Sequence, residues 1–286
     1  YEIEKRFAEA IDTYKSITAK KDVSQDLLSL SYFGLARTYY MLKDYTGAIN
    51  ICDKFISLFP TNKLRMQMDL ILANSLANKG DEKQALMIFK NVIIDMSLPP
   101  AERDNVIISV LDKLAESKQY ASILSLYNLV IKSYITDKDI NNYINLMYVA
   151  DAYLFTELPY KAQMLYEKIV SECKDEKIVV PALDGLAWSY FYEGNIDKAL
   201  DVRYQIQRML DTMPGTHTFY YKNNLSIADI MFYQKKYDDA YKLYESFIKK
   251  SYDDLLVPKA MFLEGLSLYR LKYYSDALDV WENLFR

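Results

Sequence analysis

The stretch "LARTYYMLKDYTGAI", residues 35–49, holds two apolar helical patterns that break only at Lys43-Asp44, with small residues at Ala36 and Ala48. Alignment of the chain on Ala48 brings Ala10, Ala48, Ala85, Ile123, Ala162, Ala199, Ala240 and Ala277 into one register, at separations of 38, 37, 38, 39, 37, 41 and 37 residues. Twelve residues earlier, from the second onward, stand Ala36, Ala73, Leu111, Ala150, Ala187, Ala228 and Gly265. Three residues after those come Tyr39, Leu76, Leu114, Tyr153, Tyr190, Met231 and Leu268. Four past the alignment point the chain has Tyr14, Cys52, Phe89, Tyr127, Tyr166, Arg203, Tyr244 and Trp281. Three further on it has only Ile, Val, Phe or Leu, from Ile17 to Leu284.

Apolar residues three and four apart define one face of a helix. Each unit has two such faces, interrupted by "MLKD", "NKGD", "ESKQ", "YEGN" or "YQKK". Helices joined by so short a turn pack antiparallel, and small residues at both crossing positions let the backbones approach. A single pair cannot bury its own apolar face, so neighbouring pairs must stack. The pattern therefore predicts an all-α superhelix of about fifteen antiparallel helices with a period of 37–41 residues. It is expected to form one array over 1–286: a second helix at 1–20, then pairs at about 29–62, 66–100, 104–137, 143–175, 180–213, 221–254 and 258–286.

Proline and glycine give a separate check, since proline breaks a helix interior. Pro60, Pro99, Pro100, Pro181, Pro214 and Pro258 are expected between pairs or in the first turn of one, and Pro159 inside a pair's turn. Gly80 and Gly194 fall in that inner turn, where a helix end calls for positive φ. The segment 211–218, beside the longest spacing, is the expected joint.

Composition narrows the function. A net charge of −4, with acidic and basic residues interleaved, argues against a nucleic-acid stripe or a polybasic membrane anchor. No apolar run is long enough to span a bilayer, so no direct membrane insertion is expected. Cys52 and Cys173, the two cysteines, exclude a four-thiolate zinc site but leave the compartment open. The chain starts at Tyr1 and stops within a helical pattern, which reads as a piece of a longer protein.

The segments "YFGLARTYYMLKDYTGAINICDKFISLFP" (32–60), "ALDGLAWSYFYEGNIDKAL" (182–200) and "MFLEGLSLYRLKYYSDALDVWENLF" (261–285) resemble tetratricopeptide repeats. The resemblance covers essentially the whole chain, with departures. The period exceeds the usual 34, so helices or turns must be longer. Leu111 and Ile123 at both crossing positions should splay the helices of their pair, and Arg203 occupies an aromatic slot.

Chemistry has few candidates. His217 is the only histidine and is expected in a surface loop. Asp238-Asp239 and Asp253-Asp254 read as solvated or capping groups at helix edges, and Cys52 as a small core hydrophobe. Neither a phosphate loop nor a metal motif is present, so no cofactor, no metal and no enzymatic activity are expected.

The resemblance implies that exposed positions of the first helices line a concave, partner-binding face. Those positions hold Arg37, Tyr40 and Met41; Asn74 and Asn78; Asp112 and Glu116; and Asp151 and Phe155. Further on they hold Asp184, Trp188, Phe191 and Tyr192; Asp229, Phe232 and Tyr233; and Phe262, Tyr269 and Arg270. Asparagines without accompanying lysines do not make a two-carboxylate clamp for chaperone tails. Aromatic anchors flanked by acid suit a protein or peptide with apolar and basic residues. The expected role is a non-catalytic scaffold for protein partners. The Tyr-rich units are similar to repeats of bacterial envelope and flagellar-motor scaffolds, which points to the periplasm or cell envelope over the cytoplasm. The alternative is the regulatory or substrate-recruiting arm of a larger enzyme.

Overall fold

A computed structural model describes residues 2–20, 22–95, 98–135, 139–213, 217–250 and 255–285. Among these there are fifteen α-helices and no strand. They divide into two compact units, 1–156 and 157–286. The first contains α1 (Glu2–Thr18), α2 (Gln25–Met41), α3 (Tyr45–Leu58), α4 (Arg65–Lys79), α5 (Glu82–Ile93), α6 (Pro100–Glu116), α7 (Tyr120–Leu129) and α8 (Ile140–Phe155). A short 3₁₀ turn, Ile131–Ser133, follows α7. The second unit contains α9 (Pro159–Glu172), α10 (Glu176–Tyr192), α11 (Ile196–Thr212), α12 (His217–Tyr233), α13 (Tyr237–Lys250), α14 (Val257–Arg270) and α15 (Tyr274–Leu284).

Within the second unit each helix packs on the next from α9 to α15, and within the first the same holds from α1 to α7. Ala36, Ala48, Ala73, Ala150, Ala162, Ala187, Ala199, Ala228 and Ala240 are all wholly buried, as crossing residues must be. Around them the second-helix rows close the core: Phe55, Phe89, Tyr166, Tyr244 and Phe247 are fully enclosed. The bulky crossing of Leu111 with Ile123 has the expected effect. Both side chains are buried, yet α6 and α7 touch less extensively than α2–α3 or α4–α5, and α7 breaks down into the 3₁₀ turn.

The turns explain why the register is so regular. A residue with positive φ lies five positions before every alignment point from the second onward: Lys43, Gly80, Lys118, Glu157, Gly194, Lys235 and Lys272. Only two are glycines, so the sequence announced this geometry at two turns and concealed it at five. The residue after the left-handed one closes the helix behind it. Asp44, Asp81, Gln119, Asn195, Lys236 and Tyr273 each donate their N–H to the carbonyl of Tyr39, Leu76, Leu114, Tyr190, Met231 and Leu268, at 2.8–2.9 Å. At two turns the same residue also opens the next helix. The carboxylate of Asp44 accepts the Gly47 N–H at 2.9 Å, and that of Asp81 accepts the Gln84 N–H at 3.3 Å.

Two boundary expectations need correction. First helices begin one to four residues earlier than the pattern suggested, with 17 residues in α2, α6, α10 and α12. The period beyond 34 is thus partly helix. As a result Pro181 lies inside α10 and not in its first turn. Its side chain is exposed, and Asp175 caps the helix by accepting the Lys177 N–H at 2.9 Å. His217, expected in a loop, opens α12; its side chain, Pro214 and Asp253-Asp254 lie outside the described residues.

Two stability outcomes follow from this geometry. Non-glycine residues are strained in the left-handed region, so Lys43→Gly and Lys235→Gly should each raise stability by up to about 1 kcal/mol, and Gly80→Ala should lower it by about as much. Denaturant melts of the single variants test this, and equal midpoints would contradict it. A Cβ at Gly185 would stand 2.3 Å from the Tyr166 ring, and one at Gly34 would stand 2.4 Å from Tyr14. Tyr166 is fully buried and Tyr14 only partly. Gly185→Ala should therefore cost roughly 1–3 kcal/mol, and Gly34→Ala clearly less because Tyr14 can swing aside.

Candidate functional site

The exposed side of α10 follows directly from its buried side. Leu183, Gly185, Leu186, Ala187 and Tyr190 face inward, which leaves Asp184, Trp188, Phe191 and Tyr192 on or near the surface. Their rings meet. Trp188 stands edge-on to Phe191 at 5.5 Å and stacks toward Tyr192 at 6.1 Å, and Phe191 and Tyr192 are 5.8 Å apart. Tyr233, from the end of α12, closes on Phe191 at 5.1 Å. Trp188 and Phe191 are half-buried, whereas Tyr192 is 64% and Tyr233 63% exposed. Four of the sequence-selected aromatics thus form one contiguous, partly open patch with Asp184 at one end.

Beneath it lies Arg203, the residue that stands in an aromatic slot. Its side chain on α11 is wholly buried. The guanidinium lies 4.9 Å from the Trp188 ring, and Nη1 is ion-paired with Oδ1 of Asp184. Asn223 of α12 donates to the Arg203 carbonyl at 3.0 Å, while Gln207 donates to Tyr220 Oη at 3.1 Å and Asn224 Oδ1 at 3.2 Å. Among the described residues, Nε and Nη2 of Arg203 have no hydrogen-bond partner. A flat cation therefore replaces a ring: it stacks on tryptophan as a ring would, but it also fixes Asp184. Sequence reading registered the odd residue without its role, since the signal was a charge at a position occupied in the other repeats by Tyr, Phe, Trp or Cys.

The remaining selected residues are placed elsewhere. Phe232 turns to Tyr237 at 5.3 Å, Tyr269 to Tyr274 at 5.3 Å and Tyr40 to Tyr45 at 5.8 Å. Each is an aromatic clasp across a hairpin tip, built with a second-helix residue the sequence reading did not select. Tyr269 also approaches Trp281 at 6.3 Å, and Phe262 stacks on the same indole at 6.5 Å. In the first unit Phe155 is 63% exposed and stacks on Tyr120 at 4.6 Å. Arg37, Met41, Glu116 and Arg270 are exposed, and Asp151 is half-buried. The amides of Asn74 and Asn78 are turned back onto their own helix, donating to Leu70 and Asn74 carbonyls at 2.8 Å.

Two of the aspartates serve the fold. Asp112 accepts from Tyr148 Oη at 2.9 Å, and Asp229 accepts from Tyr244 Oη at 2.8 Å and Lys259 Nζ at 2.7 Å. Burial, and then the bond to Asp112, pushes the Tyr148 hydroxyl up to about 12; Tyr244 moves the same way through burial and the Asp229 charge. Both phenols stay protonated and remain donors.

Reactive groups are scarce. Burial pushes the Cys52 thiol up to about 12, which keeps it an inert core group. Glu264, buried on α14, has its carboxyl raised to about 7 by burial and then by Glu245, against the pull of Lys249. Asp238 and Asp239 are exposed in the first turn of α13, Asp238 pairing with Lys242 one turn on. Among the described residues no three His, Cys, Asp or Glu groups are placed to hold a metal, and no helix is long and apolar enough to cross a membrane. A cleft of about 410 Å³ in the first unit is lined by Asn62, Arg65, Asp69, Ile88 and neighbours, away from every selected residue.

A sequence model described as a tetratricopeptide repeat matches residues 30–62. None of the curated proteins compared with the chain matches it. Among solved structures, a tetratricopeptide repeat protein from Parabacteroides merdae is 15% identical, with a TM-score of 0.56 over 90% of this chain and 91% of its own. RapI in its apo form is 11% identical, with a TM-score of 0.61 over 98% of this chain and 84% of its own. The apo quorum sensor NprR from B. thuringiensis is 11% identical, with a TM-score of 0.54 over 99% and 81%. At these identities the likeness is one of fold.

The Arg203–Asp184 pair has an asymmetric energetic signature. Removing a buried charge whose partner is exposed frees that partner to water, whereas removing the partner strands the charge. Arg203→Met should leave the melting midpoint unchanged or higher, while Asp184→Ala should destabilise by about 3–5 kcal/mol. Equal losses in both would mean the guanidinium is not enclosed as described.

Proposed function

We propose that this TPR-like helical array, which carries a tetratricopeptide repeat at residues 30–62, is a non-catalytic scaffold that binds a segment of a partner protein on the first-helix face of residues 157–286. The observation that carries this reading is the patch of Trp188, Phe191, Tyr192 and Tyr233. Two of its rings are more than half exposed on helices whose packing needs are already met by Ala187, Ala228 and their neighbours. Interfaces draw their strongest contacts from such aromatic groups, held rigid and partly enclosed. The TPR-like fold supports a protein–protein role in general terms, and the partner class is protein or peptide, with neither nucleic acid nor membrane insertion called for. Service in a bacterial envelope or flagellar-motor assembly is the finer part of this proposal.

The test is comparative affinity capture with three proteins: the wild type, Trp188→Ala/Tyr233→Ala, and Phe232→Ala. Truncating central anchors typically costs 2 kcal/mol or more, roughly a thirtyfold loss of affinity. The double variant should lose the partner that the wild type retains. Phe232→Ala, which removes a hairpin clasp and a core contact away from the patch, should keep it. Identical captures by all three, with circular dichroism confirming folded variants, would dismiss the patch as the binding surface.

A further inference from the structure

Along α10, Asp184, Trp188 and Tyr192 follow one another at intervals of four residues. An α-helix turns that interval into a stripe with about 6 Å between steps. The Trp188 and Tyr192 rings are indeed 6.1 Å apart. An extended peptide places alternate side chains on one side at roughly 6.5–7 Å. The two pitches agree within the reach of a side chain. A strand-like segment laid along α10 therefore meets the acid and the two rings in turn with every second residue.

The acid is prepared for a cation. Arg203 takes Oδ1 of Asp184 from a position that solvent does not reach, whereas the Asp184 side chain remains 53% exposed and Oδ2 has no partner among the described residues. Because Arg203 also lies against Trp188, one buried group holds both the acid and the first ring in place. The open faces of Tyr192 and Tyr233 beyond them attract cations and aliphatic chains alike. Two other aspartates of the first-helix face, Asp112 and Asp229, are instead bonded to tyrosines of their own units.

We propose that the α10 stripe takes an extended peptide segment carrying a basic residue and two apolar residues at alternate positions. The basic side chain lies on Asp184, the first apolar one on Trp188, and the second against Tyr192 with Tyr233 at its flank. This rests on the protein-binding reading above and adds to it a charge, a backbone conformation and a register. Arg203 acts as a positioning residue and touches the peptide only through Asp184 and Trp188.

The probe is an array of immobilised peptides in a Gly/Ser background, each presenting Lys-x-Leu-x-Leu or its reverse, probed with the full chain. Companion spots carry Gln or Glu for Lys, or move the Lys one residue along. Replacing Lys by Gln should lower binding by roughly fivefold, and by Glu more, as expected for one partly shielded charge pair. A one-residue shift should have a similar effect, because it turns the lysine to the opposite side of the strand. Raising salt to about 0.5 M should shrink the Lys preference and leave the leucine preference intact. Asp184→Asn/Arg203→Met, in which no buried charge is stranded, should bind the Lys and Gln peptides equally. Leucine-dependent binding that ignores the lysine, its position and Asp184 would overturn this inference while leaving the aromatic patch as a docking surface. Binding that survives Trp188→Ala/Tyr233→Ala would overturn the placement on α10. Absence of binding to every peptide would also overturn the inference, with the capture experiment still deciding the broader reading.

Discussion

Close approach of two backbones at the crossing of each helix pair is the constraint from which the other features follow. Alanine at both crossing positions brings helix axes toward the lower part of the usual 8–10 Å range. At that separation the flanking rows no longer point at each other; they reach past the partner helix and into the next pair. That is why Phe55, Phe89, Tyr166 and Tyr244 are enclosed although they lie on second helices whose outer faces are polar. Where Leu111 and Ile123 occupy the crossing, both are buried, but the two helices share less length. The exception shows that the alanines set the geometry and are not mere filler.

A crossing fixed in space needs a turn fixed in length. The left-handed residue, always five residues before the second crossing position, and the closing hydrogen bonds made by it and the residue after it supply that. Local strain at Lys43, Lys118, Glu157, Lys235 and Lys272 persists because packing on both sides determines it. The same economy puts the helix stop and the next helix start in one residue at Asp44 and Asp81. Most of the extra length behind the spacing of 41 residues lies in α11, which has 17 residues against 14 in α3, α9 and α13.

This division of labour decides what the sequence reveals. Repeat register, helix number and core rows could be read because each depends on residue size at a fixed interval. The five non-glycine left-handed turns could not, since lysine carries no signal for positive φ. Pro181 misled the boundary of α10 because a proline suggests a first turn, whereas the helix begins at Glu176 and carries Pro181 in its second turn. Among the selected surface residues, exposure and partner were separate questions. Phe191 and Phe232 hold the same offset in their repeats, yet one gathers Trp188, Tyr192 and Tyr233 while the other clasps Tyr237. The difference lies in whether the second helix begins with a tyrosine, as at Tyr237, or with an isoleucine, as at Ile196.

That last contrast bears on function. With an aromatic at the start of the second helix, the first helix's ring is consumed in closing its own hairpin. At the α10–α11 tip Ile196 offers no ring, so Phe191 is left to gather Trp188, Tyr192 and Tyr233 into a patch. The substitution of Arg203 for the enclosed aromatic one turn into the slot then adds a fixed acid beside them. The α10–α11 pair thus combines an unclasped tip, as also found where α5 opens with Glu82 and α9 with Pro159, with a buried arginine found at no other equivalent position. Stability alone gives no reason for a charge in that slot, because a ring there packs at least as well and needs no partner. The coincidence of an unclasped tip with the buried arginine is the ground on which this pair is proposed as the binding surface.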